Sequence, residues 1–273
     1  MKGRIIRIIS NLYTVECESN RYECRARGKF RNMGMSPVVG DIVEIDEKNQ
    51  VILSIEKRRN ELKRPVIANV DKAVVITTCT RPQFSSFLLD KMLVNVLAND
   101  IEPIICFTKF DLLKEEEKSF FYDLIDYYSK IGIPSVINTE IDTLEKLMKN
   151  HTVVLTGQTG AGKSTLVNKL DKNLHLATDD ISLALGRGKH TTRHVELFKI
   201  KDYYLADTPG FSALDIIEEP ENIRFCFLEF KNESCKFNNC KHLSETGCAV
   251  KRQLEEGEIL SSRYENYKKM VVK

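Results

Sequence analysis

The chain has 273 residues and a net charge of +2, from 41 basic and 39 acidic side chains. This length allows two or three domains with a sizeable core. Its apolar runs stay well short of the ~18 residues of a transmembrane helix, and the N-terminus lacks a secretory apolar core. The eight cysteines do not form the framework of a small secreted domain, so disulfides are not expected. We therefore expect a soluble cytoplasmic protein without membrane contact.

The charge is unevenly distributed along the chain. Residues 1–64 carry 14 basic and 9 acidic side chains (net +5), and residues 65–220 carry 17 and 22 (net −5). Residues 221–273 carry 10 and 8 (net +2). These three segments are also the predicted domains. Basic ends around an acidic middle indicate that the flanking domains meet a polyanion.

The first domain shows the pattern of a small β-barrel. Glycine and proline punctuation separates five short strands, at residues 3–9, 12–18, 22–27, 41–45 and 51–56. Such a set predicts a Greek-key barrel of the OB type, a common platform for nucleic acid. Four basic residues occupy alternate positions, so an extended segment would place them on one face: Arg25, Arg27, Lys29 and Arg31. We favour RNA contact for them over the alternative, a solvated edge strand protected by its charge.

The middle domain alternates between strand and helix patterns. Strands are predicted at residues 73–77 and 103–107, and helices at residues 88–99 and 114–130. This alternation predicts an α/β domain, with a mainly parallel sheet and helices on both faces.

A phosphate-binding loop lies between an apolar strand at 153–156 and a helical pattern at 164–170, which is the setting this motif requires. Its glycines turn backbone N–H groups toward phosphates, Lys163 supplies a charge, and Ser164 can hold Mg²⁺. The loop residues are Gly157, Gln158, Thr159, Gly160, Ala161, Gly162, Lys163 and Ser164.

Two further motifs indicate which nucleotide binds. An apolar strand ends in Asp207-Thr-Pro-Gly210, in which Asp207 can bind Mg²⁺ through water and the Gly210 amide can sense a terminal phosphate. The second motif, Thr108-Lys109-Phe110-Asp111, reads guanine. Asp111 can accept two hydrogen bonds from guanine, whereas adenine would leave this carboxylate unpaired. Lys109 would stack its stem over the base. Together the motifs predict GTP.

The motifs occur in an unusual order. The guanine motif precedes the phosphate loop, which precedes Asp207, and this order predicts a circularly permuted GTPase domain. The original termini would be joined near residues 142–150. Such a permutation is tolerated when the two termini of a domain lie close together. The chain leaving the Asp207 motif runs directly into the C-terminal domain, so nucleotide state could pass to it along a short covalent path.

Four residues near the C-terminus have the spacing of a structural zinc site: Cys235, Cys240, His242 and Cys248. Three thiolates and one imidazole form a closed tetrahedral set without an open catalytic position. The surrounding sequence is too polar to form a core, so we expect the metal to supply the fold. The remaining cysteines in strands are predicted to be small buried apolar residues.

The combination of barrel, permuted GTPase domain and zinc segment resembles the RsgA (YjeQ) family of bacterial GTPases. The resemblance covers nearly the whole chain and includes residues 24–31, 38–41, 68–71 and 186–193 and the zinc ligands. It implies a GTP hydrolase that binds the small ribosomal subunit late in its maturation. It also implies contact with rRNA near the decoding region and strong stimulation by the subunit. We further expect one structural zinc ion, Mg²⁺ with GTP, and a monomer.

The resemblance also assigns roles to single residues. Residues 157–165, including Thr165, would bind the phosphates, and residues 186–193 would form the first switch. Thr192 is the preferred Mg²⁺ ligand, with Thr191 second. The family's base-contacting loop falls near Ile137, Asn138 and Thr139, where the match is loose.

The catalytic residues are predicted to be His190, Lys163 and Thr192. Ras-type GTPases place a water-orienting Gln just after Asp-x-x-Gly, but here Phe211 occupies that position. We therefore expect slow hydrolysis by the isolated protein and faster hydrolysis when a partner orders the switches. His190 is the candidate for positioning the water. Anchoring of the loop, or contact with RNA, is an equal alternative for His190.

Three other functions compete with this interpretation. A metal-delivery GTPase would need a labile, incomplete site, which the closed ligand set opposes. A signalling switch with a protein effector conflicts with the basic barrel, and binding that is independent of salt would favour it. An ATP-dependent enzyme conflicts with Asp111.

Overall fold

The computed structural model describes residues 1–28, 30, 35–63, 66–171, 195–207 and 220–272. The chain divides into two compact units, each drawn from distant parts of the sequence. Unit 1 comprises Met1–Val74, Thr139–Thr156 and Gly162–Ser212. Unit 2 comprises Val75–Asn138, Gly157–Ala161 and Ala213–Lys273. The predicted domain boundaries follow motifs rather than these units, and they stay predictions.

The described residues form strands and helices, with short 3-10 turns between some of them. The strands are β1 Lys2–Ile9, β2 Leu12–Cys17, β3 Asn20–Ala26, β4 Ile42–Asp46, β5 Val51–Ile55, β6 Glu61–Lys63, β7 Val66–Ala68, β8 Lys72–Thr78, β9 Glu102–Thr108, β10 Ser135–Ile137, β11 Thr152–Gly157, β12 Glu196–Ile200 and β13 Tyr203–Asp207. The helices are α1 Ser86–Leu97, α2 Glu115–Lys130, α3 Ile141–Met148, α4 Lys163–Leu170, α5 Pro220–Ile223, α6 Ala249–Glu255 and α7 Ser261–Val271. None of these helices has the length and apolar character to cross a bilayer.

The first five strands form a closed barrel in unit 1. They pair in the order β1–β2–β3–β5–β4, and β4 pairs again with β1. Alternate side chains, such as Ile5, Val15 and Ile52, are fully buried in its core. The predicted OB-type barrel is confirmed, and each predicted strand end lies within two residues of the observed one.

The barrel sheet continues into strands of the middle segment. Arg7 of β1 pairs with Glu196 of β12, β12 runs antiparallel to β13, and β13 runs parallel to β11. The predicted mainly parallel sheet therefore contains an antiparallel strand, β12. A tight turn joins β12 to β13, with Lys201 in the left-handed region (φ 48°), and such a turn connects only antiparallel neighbours.

Polar contacts fasten the barrel to strands β11 and β13 within unit 1. The Arg4 guanidinium donates to Thr152 Oγ1 and lies 5.2 Å from the centre of the Tyr204 ring. Tyr204 Oη donates to Glu16 Oε2 at 2.5 Å, and Asp71 Oδ2 accepts the Thr152 N–H at 2.7 Å. Strand β13 is therefore held by side chains of the barrel. Strand β11 is held by the barrel and by Asp71, which lies in the segment after the barrel.

Unit 2 contains the parallel pair β9 and β10 and the C-terminal half of β8 beside β9. Helices α1 and α2 confirm the two predicted helices to within two residues. Ser85 caps α1 by accepting the Leu88 N–H at 3.2 Å. Buried apolar side chains of β9 and both helices, such as Leu93, Phe107 and Phe121, belong to its core.

A buried ionic network ties α7 to the rest of unit 2. Arg263 is 1% exposed, and its guanidinium donates to Asp90 of α1 at 2.6 Å. It also donates twice to Glu229, at 2.8 Å each. Tyr128 Oη adds a bond to Asp90 at 2.9 Å. Since a buried charge is tolerated only when it is paired and hydrogen-bonded, this network fixes the position of α7 against α1.

Candidate nucleotide and metal sites

The guanine motif lies at the end of β9 and is joined directly to the phosphate loop. Thr108 is buried, and its hydroxyl donates to the Ala161 carbonyl at 2.6 Å. Lys109 adopts a left-handed conformation (φ 57°), and its ammonium donates to the Gly160 carbonyl at 2.9 Å and to the Arg81 carbonyl. The sequence did not predict these contacts, which hold residues 108–109 against residues 160–161.

Asp111 follows in the 3-10 turn Phe110–Leu112, with an exposed side chain. Cys79 lies nearby, and burial, with a smaller contribution from the Asp111 charge, raises the pKa of its thiol to about 12. Asn138 follows β10, and its N–H donates to the Phe107 carbonyl at 2.9 Å. The predicted base-contacting loop therefore begins beside the strand that carries the guanine motif.

The phosphate loop follows β11 and leads into α4, as the sequence predicts. A Cβ atom at Gly157 would clash with the Ile76 carbonyl oxygen, so this position requires glycine. Gly160 (φ 77°) and Gly162 (φ 92°) adopt left-handed conformations. Gly162 is the N-cap of α4, which places Lys163 in the first turn of that helix. The N-terminus of a helix is favourable for phosphate because its N–H groups are unpaired.

Several predicted site residues lie outside the described part of the chain. They are Lys29, Arg31, His190, Thr191, Thr192, Gly210 and Phe211, with the whole predicted first switch at residues 186–193. Asp207 is the last residue of β13, and its backbone pairs with Glu196.

Two of the four predicted RNA-contacting residues lie beside a cleft at one end of the barrel. Arg25 lies in β3 and Arg27 follows its end, and both border a 610 Å³ cleft that Tyr13 also lines. The strand ends at Ala26, and Phe30 lies in the barrel core. Of the two described positions, Arg25 therefore lies on the strand and Arg27 lies just beyond it.

The four predicted metal ligands come together in unit 2, with ligand atoms within 4.8 Å of one another. His242 Nδ1 lies 3.5 Å from Cys235 Sγ and 3.3 Å from Cys248 Sγ, and the two Sγ atoms are 4.0 Å apart. Tetrahedral zinc with bonds of about 2.3 Å to sulfur would separate two sulfurs by about 3.8 Å. The residues therefore fit one zinc ion.

Neighbouring groups orient these ligands. His242 Nε2 lies 2.6 Å from Asn232 Oδ1, which assigns the proton to Nε2 and leaves Nδ1 for a metal. The Ala249 N–H donates to Cys235 Sγ at 3.2 Å. Burial raises the pKa of Cys240 to about 12 and lowers the pKa of His242. A thiolate there would need a bound cation. Sequence patterns did not reveal Asn232.

The zinc segment also has an apolar core, contrary to the expectation that metal alone would supply its fold. Phe227 and Phe230 stack at 5.0 Å, and Tyr267 meets both rings edge-on. Cys240 and Cys248 belong to the same buried cluster. The local sequence looked too polar because these aromatic residues lie before and after the ligands, on α7 and near Arg224–Cys226. The other cysteines that lie in strands are buried, as predicted: Cys17, Cys24 and Cys106. Cys79 and Cys226, which lie outside strands, are also buried.

Comparisons with known proteins agree with this architecture. The pattern of the RsgA GTPase family matches residues 54–217, and that of the RsgA N-terminal domain matches residues 2–52. A protein of Halalkalibacterium halodurans named small ribosomal subunit biogenesis GTPase RsgA is 44% identical, covering 97% of this chain and 94% of its own. A protein of the same name from Enterococcus faecalis is 45% identical, covering 98% and 93%.

Two solved structures are also similar. YjeQ from Thermotoga maritima has a TM-score of 0.87 at 35% identity, covering 99% of this chain and 96% of its own. YloQ, described as a circularly permuted GTPase, has a TM-score of 0.85 at 35% identity, covering 99% and 93%. The predicted fold class is thereby confirmed: a circularly permuted GTPase domain, an N-terminal barrel and a C-terminal Cys3His segment. The chain belongs to the RsgA GTPase family and is a GTP hydrolase.

Proposed function

We propose that this protein binds the small ribosomal subunit, assists its late maturation, and hydrolyses GTP faster when the subunit is bound. The observation that carries this proposal is the pair of hydrogen bonds that Thr108 and Lys109 donate to the loop carbonyls of Ala161 and Gly160. These hydrogen bonds hold a guanine-reading motif against a phosphate loop, in a chain that also has a basic barrel. The relatives named above supply the ribosomal context.

In this proposal the chain's own groups hold the nucleotide. Asp111 selects guanine, Lys109 covers the base with its stem, and Thr108 supports the motif. The backbone of residues 157–165 cradles the phosphates, while Lys163 offsets their charge. The Gly210 amide senses the terminal phosphate.

Mg²⁺ would be held by hard oxygen donors, which it prefers. Ser164 and Thr192 supply hydroxyls and Asp207 binds through water, with Thr191 second to Thr192. Bound Mg²⁺ neutralises charge that develops on the phosphates. His190 positions the attacking water, with loop anchoring or RNA contact as the other role. His190→Ala should lower subunit-stimulated turnover without weakening GTP affinity if the first role is correct.

The partners are the small subunit and its rRNA, which Arg25, Arg27, Lys29 and Arg31 contact through the barrel. The zinc ligands hold one structural ion, and the protein acts as a cytoplasmic monomer. The signalling and metal-delivery alternatives have no specific support. Asn232 and the aromatic core hold the Cys3His set as a closed structural site, which does not suit delivery of a metal.

The test is GTP hydrolysis with and without purified small ribosomal subunits over a salt series. We expect strong stimulation that declines with salt, because contacts with RNA phosphates release counterions. Absence of stimulation at low salt would refute the proposal and favour a signalling switch.

A further inference from the structure

A row of directly paired residues crosses five neighbouring strands of unit 1. Glu23 of β3 pairs with Thr14 of β2, and Thr14 pairs with Arg7 of β1. Arg7 pairs on its other side with Glu196 of β12, which pairs with Asp207 of β13. The row therefore runs from the barrel strand that contains Arg25 to the end of the strand that carries the Asp207 motif.

Side-chain contacts follow the same row. Thr14 Oγ1 donates to Glu23 Oε1 at 2.7 Å, and Arg7 Nε lies 3.6 Å from Glu196 Oε2. Directly opposite residues lie on the same face of a sheet. The Arg7 and Glu196 side chains are 46% and 31% exposed, so this is the solvent face.

Arg7 is the residue of β1 whose backbone pairs with β12. The register between β1 and β2 shifts between Ile5 and Arg7, which is the signature of a β-bulge. A bulge bends the strand and changes the direction of the next side chain. After it, Arg7 pairs with Thr14 of β2 on one side and with Glu196 of β12 on the other.

Both strands beyond Arg7 lead to proposed switch residues. β12 begins at Glu196, shortly after the proposed first switch at residues 186–193, and β13 ends at Asp207. Glu196 and Asp207 are directly opposite each other in the antiparallel pair of β12 and β13. At the other end of the row, Glu23 lies two residues before Arg25, on the same face of β3.

We propose that Arg7 and Glu196 are positioning residues that couple RNA contact on the barrel to GTP hydrolysis. This inference rests on the proposed function. RNA phosphates bound by Arg25 and Arg27 displace the solvent face of the barrel. The Arg7–Glu196 pair passes that displacement to the ends of β12 and β13. A two-state displacement that both sites bias is what such coupling requires.

The test compares wild-type protein with Arg7→Gln at saturating small-subunit concentration. Exposed ion pairs have modest coupling energies, so we expect subunit-stimulated hydrolysis to fall about two- to fivefold. GTP affinity, basal hydrolysis and subunit affinity should stay within about twofold, because Arg7 contacts neither ligand in this proposal. Arg7→Glu combined with Glu196→Arg should restore stimulation relative to either single reversal, since the cycle isolates the pair.

The matched control is Lys2→Gln, an exposed basic residue of the same strand whose pair with Glu56 lies outside the row. It should leave stimulation unchanged. If Arg7→Gln is stimulated as strongly as wild type, or loses activity only in proportion to subunit binding, the coupling is refuted while the proposed function stands. If small subunits do not stimulate wild-type protein, the proposed function fails and the coupling fails with it.

Discussion

The zinc segment and the phosphate loop are built in opposite ways. In the zinc segment four side chains within 14 residues converge on one point, and an aromatic core supports them. In the phosphate loop the backbone forms the site, and partners about 50 to 80 residues away hold it: Ile76, Thr108 and Lys109. Side-chain chelation tolerates a varied backbone, whereas a backbone cradle depends on close packing around glycine. The two regions should therefore fail in different ways when they are changed.

The largest effect is expected from removing a metal ligand. Cys248→Ser should abolish stoichiometric zinc and destabilise the zinc segment by on the order of 5 kcal/mol or more, since structural zinc supplies about 10–16 kcal/mol in small peptides. Metal analysis and thermal melting measure both effects. Cys226→Ser is the control, because Cys226 is buried in the same cluster without being a ligand. Full zinc retention by Cys248→Ser would show that the cluster is not the metal site.

Disrupting the buried ionic network around Arg263 tests whether the zinc segment also depends on helix α7. Arg263→Met leaves Asp90 and Glu229 buried without their cation, so unfolding free energy should fall by about 3–5 kcal/mol. Urea denaturation followed by tyrosine fluorescence measures the loss. Lys268→Met on the same helix removes an exposed pair with Glu265 and should cost less than about 1 kcal/mol. Equal losses for the two variants would contradict the role of the network.

The phosphate loop should lose function before it loses fold. Gly157→Ala forces a Cβ against the Ile76 carbonyl, and overpacking of this kind costs about 1–3 kcal/mol. If the loop shifts to relieve it, GTP affinity should fall about 5- to 100-fold. Calorimetric titration with GTP and Mg²⁺ measures the change. Gly28→Ala, where a Cβ meets open space, should bind GTP normally. If Gly157→Ala bound GTP with wild-type affinity, the interpretation that the loop backbone forms the phosphate site would be wrong.

The smallest effect is expected from removing the hydrogen bonds that join the guanine motif to the phosphate loop. Lys109→Met keeps an apolar stem over the base but loses the bonds to the Gly160 and Arg81 carbonyls. Since a net hydrogen bond is worth about 0.5–1.5 kcal/mol, we expect GTP affinity to fall about two- to tenfold. Lys130→Met, which loses only a surface pair with Asp126, is the control. Unchanged GTP affinity in Lys109→Met would show that base stacking is the whole role of Lys109.

The sequence by itself determined the features that depend on neighbouring residues. Glycine and proline punctuation predicted the barrel strands, glycine spacing predicted the phosphate loop, and the spacing of Cys235 to Cys248 predicted the metal cluster. The order of motifs predicted the permutation, because order along a chain is directly visible. Each of these signals is local, since it needs only residues within one strand, one loop or one short segment.

Only the tertiary structure decided which distant residues support those features. The Lys109 bonds to loop carbonyls, the Asn232 contact with His242, the burial of Arg263 and the Arg7–Glu196 pair join residues that no periodicity relates. The sequence also did not predict the antiparallel direction of β12. Pairing and packing of whole elements fix these contacts, and the free energy of such packing depends on shape and burial that single-residue propensities do not contain.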